Sequence, residues 1–303
     1  MKVAEAFSPC HITGFFQIDD KSKDPLYVGS RGSGLSIKEG VKTKVKVERN
    51  SKPRYQININ GVPTDFEVSE RLINMYISRF EDIKNFRILV DHEVNVPIGA
   101  GLGTSGAAAL GLSLALNDLF ELGMSRVEAA QLAHIAEVEC KTGLGTVIAE
   151  TYGGFEIRVK AGAPGLGEII QAPVPRDSAV FCLIFGPLST KGLLTDNDVC
   201  RRVNMLGGKL VDEMVKDPNL HNFMKFSRMF SDHVGLMSSE VIKIFKIMDE
   251  AGFIMSMPMF GDGVFTVCRD DLVEDILCIL HDHKFNGNII LSEIDFDGAR
   301  IIV

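Results

Sequence analysis

The chain has 303 residues, 46% of them hydrophobic, and its 32 lysines and arginines against 40 aspartates and glutamates give a net charge of −8. This length and composition predict a globular protein with a large core and two domains. The acidic balance and the lack of a basic stripe argue against nucleic acid or an anionic membrane as a partner.

The start of the chain and its cysteines indicate a cytoplasmic protein. The segment MKVAEAFSPCHITGFF lacks the charged start and long apolar run of a signal peptide, and no apolar run approaches the roughly 20 residues of a membrane-spanning helix. The six cysteines are scattered without C-x-x-C spacing. We therefore expect reduced thiols, with neither a zinc site nor a disulfide framework.

The first predicted elements are strands. Apolar and polar residues alternate over 41–49 and 55–61, which predicts two half-buried strands joined by a turn at 51–53. We expect these two strands to pair as an antiparallel hairpin. Residues 69–84 are typical of a helix, and residues 86–95 of a further strand.

A run of small residues, VPIGAGLGTSGAAALG at 96–111, follows that strand. Glycines let backbone amides approach a bulky group closely. The leucine-rich stretch 110–120 predicts a buried helix, whose N-terminus would point at the same spot. We therefore predict that this run binds a phosphate group; the alternative is a purely structural glycine-rich turn.

The second half of the chain continues with helices and strands. Ser125 and Glu128 predict a capping box, which opens a helix that runs to about Cys140. After a glycine-rich stretch we expect, in chain order, a strand (179–185), mostly helix (199–251), a strand (264–268), a helix (271–281) and a strand (289–291). Because β-α-β alternation is not regular, the predicted fold class is α+β. Pro173–Asp177 is the expected linker, dividing domains 1–175 and 176–303.

Two well-known phosphate motifs do not fit the glycine-rich run. Gly101–Gly106 matches G-x-G-x-x-G of dinucleotide-binding proteins, but it lies in mid-chain and Pro97 separates it from the strand. A Walker A loop needs a lysine before the hydroxyl residue, and the sequence Gly103-Thr104-Ser105 has none. The two adjacent hydroxyls at the start of a buried helix still favour phosphate over a structural turn.

The segment PIGAGLGTSGAA at 97–108 resembles P-x-x-x-G-L-G-S-S-A-A, the phosphate-binding motif of the GHMP kinases. The segments SPCHITG at 8–14 and MPMFGDGV at 257–264 are similar to further motifs of this family, in the same order. The resemblance therefore spans nearly the whole chain. The combination of SPCHITGFF, DPLYVGSRGSG and TGLGTVIAETYGG narrows it to one member of the family.

This resemblance implies a two-domain kinase. Its N-terminal domain would be like the second domain of ribosomal protein S5, its C-terminal domain would be ferredoxin-like, and ATP and substrate would bind in the cleft between them. The implied reaction transfers the γ-phosphoryl group of Mg-ATP to a hydroxyl of a small acidic alcohol, and a homodimer is implied by analogy. The alternative is a catalytically silent protein of the same fold that binds a ligand.

The resemblance also implies the phosphate and metal residues. Ser105 would touch Mg²⁺ or phosphate, and it would serve equally as a helix cap. The family's Mg²⁺-binding glutamate falls on Glu137 or Glu139; helical periodicity leaves both open, and spacing to the TGLG turn favours Glu137. The residues expected to wrap the nucleotide are Pro97, Gly99, Ala100, Gly101, Leu102, Gly103, Thr104, Ser105 and Gly106.

Substrate residues are expected elsewhere in the chain. His11 stands where mevalonate kinase has a catalytic lysine, and would contact a phosphate oxygen or the substrate; the alternative is a buried structural histidine. Arg31 is the candidate for the substrate carboxylate, because a guanidinium matches a planar anion; the alternative is a solvent-facing loop arginine. The polar loop Ser189-Thr190-Lys191 is a further candidate for the phosphates.

One position departs from the family pattern. Mevalonate kinase and galactokinase carry an aspartate shortly before the Gly-Gly of this region, and counting back from Gly153-Gly154 places Thr146 there. Threonine is no general base near neutral pH. Because the transition state of phosphoryl transfer is loose, the γ-phosphate can accept the proton late. Thr146 would then orient the substrate hydroxyl or only fill space.

Overall fold

In the computed structural model, which describes residues 2–50, 52 and 54–302, the chain forms two β-sheets covered by helices. The strands are β1 (Lys2–Asp19), β2 (Gly29–Arg49), β3 (Arg54–Ile59), β4 (Val62–Pro63), β5 (Phe86–Val94), β6 (Phe155–Lys160), β7 (Glu168–Gln171), β8 (Ser178–Pro187), β9 (Gly261–Arg269), β10 (Asn288–Ser292) and β11 (Arg300–Ile302). The helices are α1 (Glu67–Arg79), α2 (Thr104–Leu119), α3 (Arg126–Cys140), α4 (Thr146–Tyr152), α5 (Thr190–Thr195), α6 (Asn197–Lys216), α7 (Leu220–Val234), α8 (Ser239–Glu250) and α9 (Val273–Asp282). Of the turn expected at 51–53, residues 51 and 53 lie outside the described part.

The first sheet is built on two long antiparallel strands, β1 with 18 residues and β2 with 21. Its strand order is β11-β1-β2-β5-β3-β4, with β6 paired to β2 and β7 paired to β6. β1 is not among the strands predicted from the sequence. Between Cys10 and Phe16 nearly every side chain of β1 is buried, on both faces. This stretch therefore lacks the alternation by which a half-buried strand is predicted.

The predicted hairpin of residues 41–49 and 55–61 is wrong. Both segments are strands, but β5 lies between them, antiparallel to β2 and parallel to β3. The chain leaves β3 and passes through α1 before it returns as β5, since parallel strands need such a crossover. Alternation shows which side chains of a strand face the core, but it does not show which strand lies beside it. Here the central place belongs to β5, which buries Ile88 and Val90.

The second sheet has the strand order β10-β8-β9, and all its pairs are antiparallel. Along the chain, β8 is followed by the helices α5 to α8, by a single bridge from Ser256 to Phe265, and then by β9, α9 and β10. This is the connectivity of a ferredoxin-like domain whose second strand is reduced to one bridge. The α+β fold class predicted from the sequence is confirmed.

Two hydrophobic clusters form the interior. One lies between the first sheet and the helices α1, α2 and α3, and includes Val45, Leu72 and Leu110. The other runs from β1 across to the second sheet and includes Phe15 and Phe181. α2 is buried along nearly its whole length, because it packs between the first sheet and α3.

The other predicted elements are present as α1, β5, α2, α3, β8, α6 to α8, β9, α9 and β10, although α1 ends five residues before the predicted position 84 and α2 begins six residues before the predicted position 110. The capping box of Ser125 and Glu128 is present. No helix in the described ranges is long and apolar enough to cross a membrane. The division at residues 175 and 176 stays a prediction; the last strand, β11, pairs with β1 of the first sheet.

Candidate active site

A cavity of about 290 Å³ opens between the two sheets. The glycine-rich loop and the start of α2 form one wall, and the residues before and at the start of α4 form another. The second half of the chain contributes Leu188 to Lys191, Met259 and Phe260. The residues named from the sequence that line it are His11, Gly99, Gly101, Leu102, Gly103, Thr104, Ser105, Thr146, Ser189, Thr190 and Lys191.

The glycine-rich loop depends on backbone conformations that favour glycine. Gly99, Gly101 and Gly103 have φ values of +76°, +73° and +71°. Gly103 is the N-cap of α2, so the helix begins at Thr104, directly after the loop. A helix N-terminus with free amides and a favourable dipole is suited to an anion. The loop can therefore cradle phosphate groups.

At Gly101 the loop also packs closely against backbone atoms of the second half of the chain. A Cβ at Gly101 would lie 2.8 Å from both the Gly261 nitrogen and the Met259 oxygen. Ala100 is buried, and its carbonyl lies against Gly261. Pro97, Ala100 and Gly106 do not line the cavity.

The structure brings Glu137, not Glu139, to the start of α2. The Glu137 carboxylate accepts a hydrogen bond from the Thr142 hydroxyl at 2.6 Å, and the Ser105 hydroxyl lies close enough to favour its charged form. Its burial raises the pKa of Glu137 above the ordinary value. Glu139 lies on the other side of α3, is 38% exposed and forms an ion pair with Arg71. Ser105 and Glu137 together offer oxygen donors of the kind that a hard divalent cation prefers.

Glu150 on α4 is a buried acid that sequence reasoning missed. It is fully buried, and in the described part of the chain neither carboxyl oxygen has a hydrogen-bond partner. A Cβ at Gly103 would lie 2.6 Å from its Oε1. Burial, followed by the charges of Glu137 and Glu156, raises the pKa of Glu150 well above its ordinary value. Its position four residues after Thr146, on the same helical face, is the signal that could have found it.

His11 belongs to a buried network of hydrogen-bonded side chains that reaches the cavity. Its Nε2 lies 3.0 Å from Glu156 Oε1, and its Nδ1 lies 3.2 Å from the Thr13 hydroxyl. The same Glu156 oxygen accepts a hydrogen bond from the Arg158 guanidinium. Both Thr13 and Arg158 line the cavity. This network fixes the orientation of the His11 imidazole, since both ring nitrogens face a polar atom.

Arg158 is the second residue that the sequence analysis missed. It lies on β6 and is 1% exposed, yet its Nε has no hydrogen-bond partner among the described residues. The absence of side chains at Gly32 and Gly145 makes room for it, because a Cβ at either position would lie within 3 Å of its guanidinium. The letters FEIRVK alternate apolar residues with Glu156, Arg158 and Lys160, the pattern of a half-exposed strand, so the sequence carries no signal that Arg158 is buried.

Arg31 is not brought to the cavity. Its guanidinium donates to the Val159 carbonyl at 2.9 Å, to Gln17 at 3.2 Å and to Asp212 at 2.5 Å. The Arg31 side chain is 27% exposed. Lys191 does line the cavity. It forms an ion pair at 2.9 Å with Glu67 of α1, which joins the second half of the chain to the first.

The fold and this site are those of a small-molecule kinase with a glycine-rich phosphate loop, and comparison with known proteins agrees. Residues 68–154 match the family model of the GHMP kinases N-terminal domain. The pantoate kinase of Thermococcus kodakarensis is 35% identical over 281 residues, 91% of each chain, and that of Methanocaldococcus jannaschii is 35% identical over 90% of this chain and 96% of its own. The chain belongs to the GHMP kinase family.

Solved structures extend the comparison. A structure described as a phosphotransferase related to the CoA biosynthesis pathway is 30% identical, with a TM-score of 0.88 over 99% of this chain and 98% of that one. The homoserine kinase of Cytophaga hutchinsonii has a TM-score of 0.71 at 15% identity over 100% of this chain and 98% of that one, a likeness of fold alone. The resemblance to the GHMP kinases stated from the sequence motifs is confirmed.

Proposed function

We propose that this chain is a pantoate kinase, which transfers the γ-phosphoryl group of ATP to the primary hydroxyl of (R)-pantoate in coenzyme A biosynthesis. The observation that carries the proposal is one cavity lined by both a glycine-rich loop and a buried arginine, Arg158, whose Nε has no partner among the described residues. A nucleoside triphosphate needs an anion site for its phosphates, and a small hydroxy acid needs a second one for its carboxylate. The chain's similarity to two pantoate kinases, at 35% identity over about nine-tenths of its length, supports the same assignment.

ATP would bind with its phosphates on the glycine-rich loop. The amides around Gly101 and Gly103 and the N-terminus of α2 would hold the phosphate oxygens. Ser105 and Glu137 would hold Mg²⁺, and this oxygen-only donor set fits that ion. When bound, Mg²⁺ cancels negative charge on the phosphate oxygens, which is most of what phosphoryl transfer requires of a site.

The pantoate carboxylate would bind to Arg158. Its guanidinium lines the cavity, it is already desolvated, and its Nε is free to donate among the described residues. A planar guanidinium binds a carboxylate through two parallel hydrogen bonds, which also fixes the direction of the substrate. Arg31, the candidate from the sequence, uses its donors on Asp212, Gln17 and a backbone carbonyl, so the geometry favours Arg158.

His11 and Thr146 would act on the substrate hydroxyl and the transferred group. Glu156 holds the His11 ring, which would contact a phosphate oxygen or the substrate next to Thr13. Thr146 lies at the cavity wall, at the N-terminus of α4, and would orient the hydroxyl. The proton would pass late to the transferred phosphate, because a loose transition state does not require its early removal.

A substrate panel tests this proposal. With Mg-ATP and pantoate, pantothenate, homoserine or mevalonate, we expect turnover with pantoate and little with the other three. Equal rates with homoserine would contradict the pantoate assignment. No turnover with any alcohol would favour the alternative, a ligand-binding protein of the same fold without activity.

We further propose that the protein works in the cytoplasm as a homodimer, without a nucleic-acid or membrane partner. All six cysteines are free, three of them buried, which suits a reducing compartment. The net charge of −8 supports the absence of polyanionic partners. Light scattering of the purified protein gives the oligomeric state directly, and a monomer mass would reject the homodimer.

A further inference from the structure

Two buried carboxylates meet beside Gly106, in the first turn of α2. A Cβ at Gly106 would lie 2.9 Å from Glu150 Oε2 and 3.3 Å from Glu137 Oε2. Glu137 is 1% exposed and Glu150 is fully buried. In the described part of the chain, the hydrogen-bond partner of the Glu137 carboxylate is the Thr142 hydroxyl and Glu150 has none, so neither carboxylate is paired with a basic side chain. Two acidic groups therefore converge on one point without a protein cation to neutralise them.

The two carboxyl groups differ in their partners. Glu137 accepts a hydrogen bond from the Thr142 hydroxyl, whereas both oxygens of Glu150 lack a partner among the residues described. A buried carboxylate without a partner is costly, and a like charge beside it adds to that cost. The arrangement needs either a shared proton or a bound cation between the two groups.

The position of Glu150 along α4 relates it to the departure at Thr146. The two residues are four apart and so share one face of the helix. Both lie against Gly103, where a Cβ would be 2.6 Å from Thr146 Cγ2 and 2.6 Å from Glu150 Oε1. The chain therefore has no acid at the position where mevalonate kinase and galactokinase have one, but has an acid one helical turn later on the same face.

We propose that Glu150 is a second carboxylate ligand of the divalent-metal site, acting with Glu137 and Ser105; this rests on the proposed kinase function. All three donors are oxygens, as Mg²⁺ requires. No group of three or more histidines, cysteines and acids in the described ranges can hold a metal by itself. Water and the phosphates of the nucleotide would supply the remaining ligands, the usual arrangement for Mg²⁺ at a kinase site.

Mn²⁺ binding measured without catalysis tests the proposal. Free Mn²⁺ is followed by electron paramagnetic resonance during titration into the protein with a non-hydrolysable ATP analogue. We expect Glu150→Gln and Glu137→Gln each to weaken Mn²⁺ binding by about tenfold or more. Glu139→Gln, on the exposed side of the same helix as Glu137, is the matched control and should leave it unchanged. Binding of the analogue in EDTA should be unaltered by Glu150→Gln.

Wild-type Mn²⁺ affinity in Glu150→Gln, with affinity lost in Glu137→Gln, would overturn the proposal and leave a shared proton as the explanation. If Glu150→Gln fails to fold, Glu150→Asp, which withdraws the carboxylate by one methylene, should weaken Mn²⁺ binding at least about threefold; unchanged affinity there would also overturn it. Pantoate turnover by the wild type is measured separately. Absence of pantoate turnover would reject the proposed function, and the comparison of Mn²⁺ affinities would still stand.

Discussion

At the scale of single residues, the two arginines near the site make a sharp comparison. Arg158 is buried in the cavity wall, whereas Arg31 is partly exposed and already paired with Asp212. A hydrogen bond to a charged group is worth roughly 1.5–3 kcal/mol, which corresponds to about tenfold or more in affinity. We therefore expect Arg158→Lys to raise the KM for pantoate at least about tenfold and to change the KM for ATP little.

The matched variant is Arg31→Lys, which keeps the charge beside Asp212. Its ion pair is solvent-accessible and contributes little. Initial rates at varied pantoate concentration should give a KM within about threefold of the wild type, the scale of a weak surface interaction. The opposite ranking of the two variants would return the carboxylate site to Arg31.

Thr146 supplies a second prediction at this scale. Because threonine is no base near neutral pH, Thr146→Val removes only a hydroxyl that orients the substrate. We expect kcat at saturating ATP and pantoate to fall by less than about a hundredfold, the low end of what a general base contributes. A ten-thousandfold loss with both ligands still bound would show that the Thr146 hydroxyl has a chemical role, and would direct the search for a base to His11.

At the scale of elements, the glycine-rich loop is held by close backbone packing against the loop before β9. At Gly101, an added Cβ meets backbone atoms of both Gly261 and Met259, and φ is +73°. Gly101→Ala should therefore displace the loop, lower the Tm and raise the KM for ATP by about tenfold or more, beyond the roughly 1 kcal/mol cost of the backbone conformation alone.

Gly123 is the matched control for this loop prediction. Its φ is +71°, but a Cβ there would have no neighbour within 4 Å. Gly123→Ala should show a small decrease in Tm and an unchanged KM for ATP. Thermal unfolding and ATP kinetics on both variants separate the conformational cost from the contact. Equal effects in the two variants would mean that the loop is not positioned by Gly261.

The elements also show how far sequence patterns can predict a fold and a site. Helices with one apolar face, the capping box at Ser125 and the glycine loop follow from local residues, and the structure contains each of them. Local residues do not predict that β2 pairs with β5, because strand pairing depends on distant segments. They do not predict β1 either, because its burial on both faces depends on distant segments. Likewise, Glu150 and Arg158 belong to the site only through the packing of α4 and β6 against other elements.

At the scale of the whole molecule, the cavity walls are fixed because the two sheets share one hydrophobic cluster. The ring of Phe223 on α7 lies 5.1 Å from Phe155 on β6, and Phe16 on β1 lies 5.6 Å from Phe260, measured between centroids. Phe16 and Phe260 themselves line the cavity. This shared core joins the elements that carry the glycine-rich loop and Arg158, and transfer between two substrates requires that their binding groups be positioned relative to each other.

The proposed function makes a specific claim, that this cavity directs the phosphoryl group to the primary hydroxyl of pantoate. ³¹P nuclear magnetic resonance of the product formed from Mg-ATP and (R)-pantoate shows which hydroxyl carries the phosphate. With the carboxylate held at Arg158 and the far hydroxyl facing the loop, the product phosphorus should couple to the two protons of the terminal methylene. Coupling to the single proton beside the carboxylate, or no phosphorylated pantoate at all, would contradict the claim.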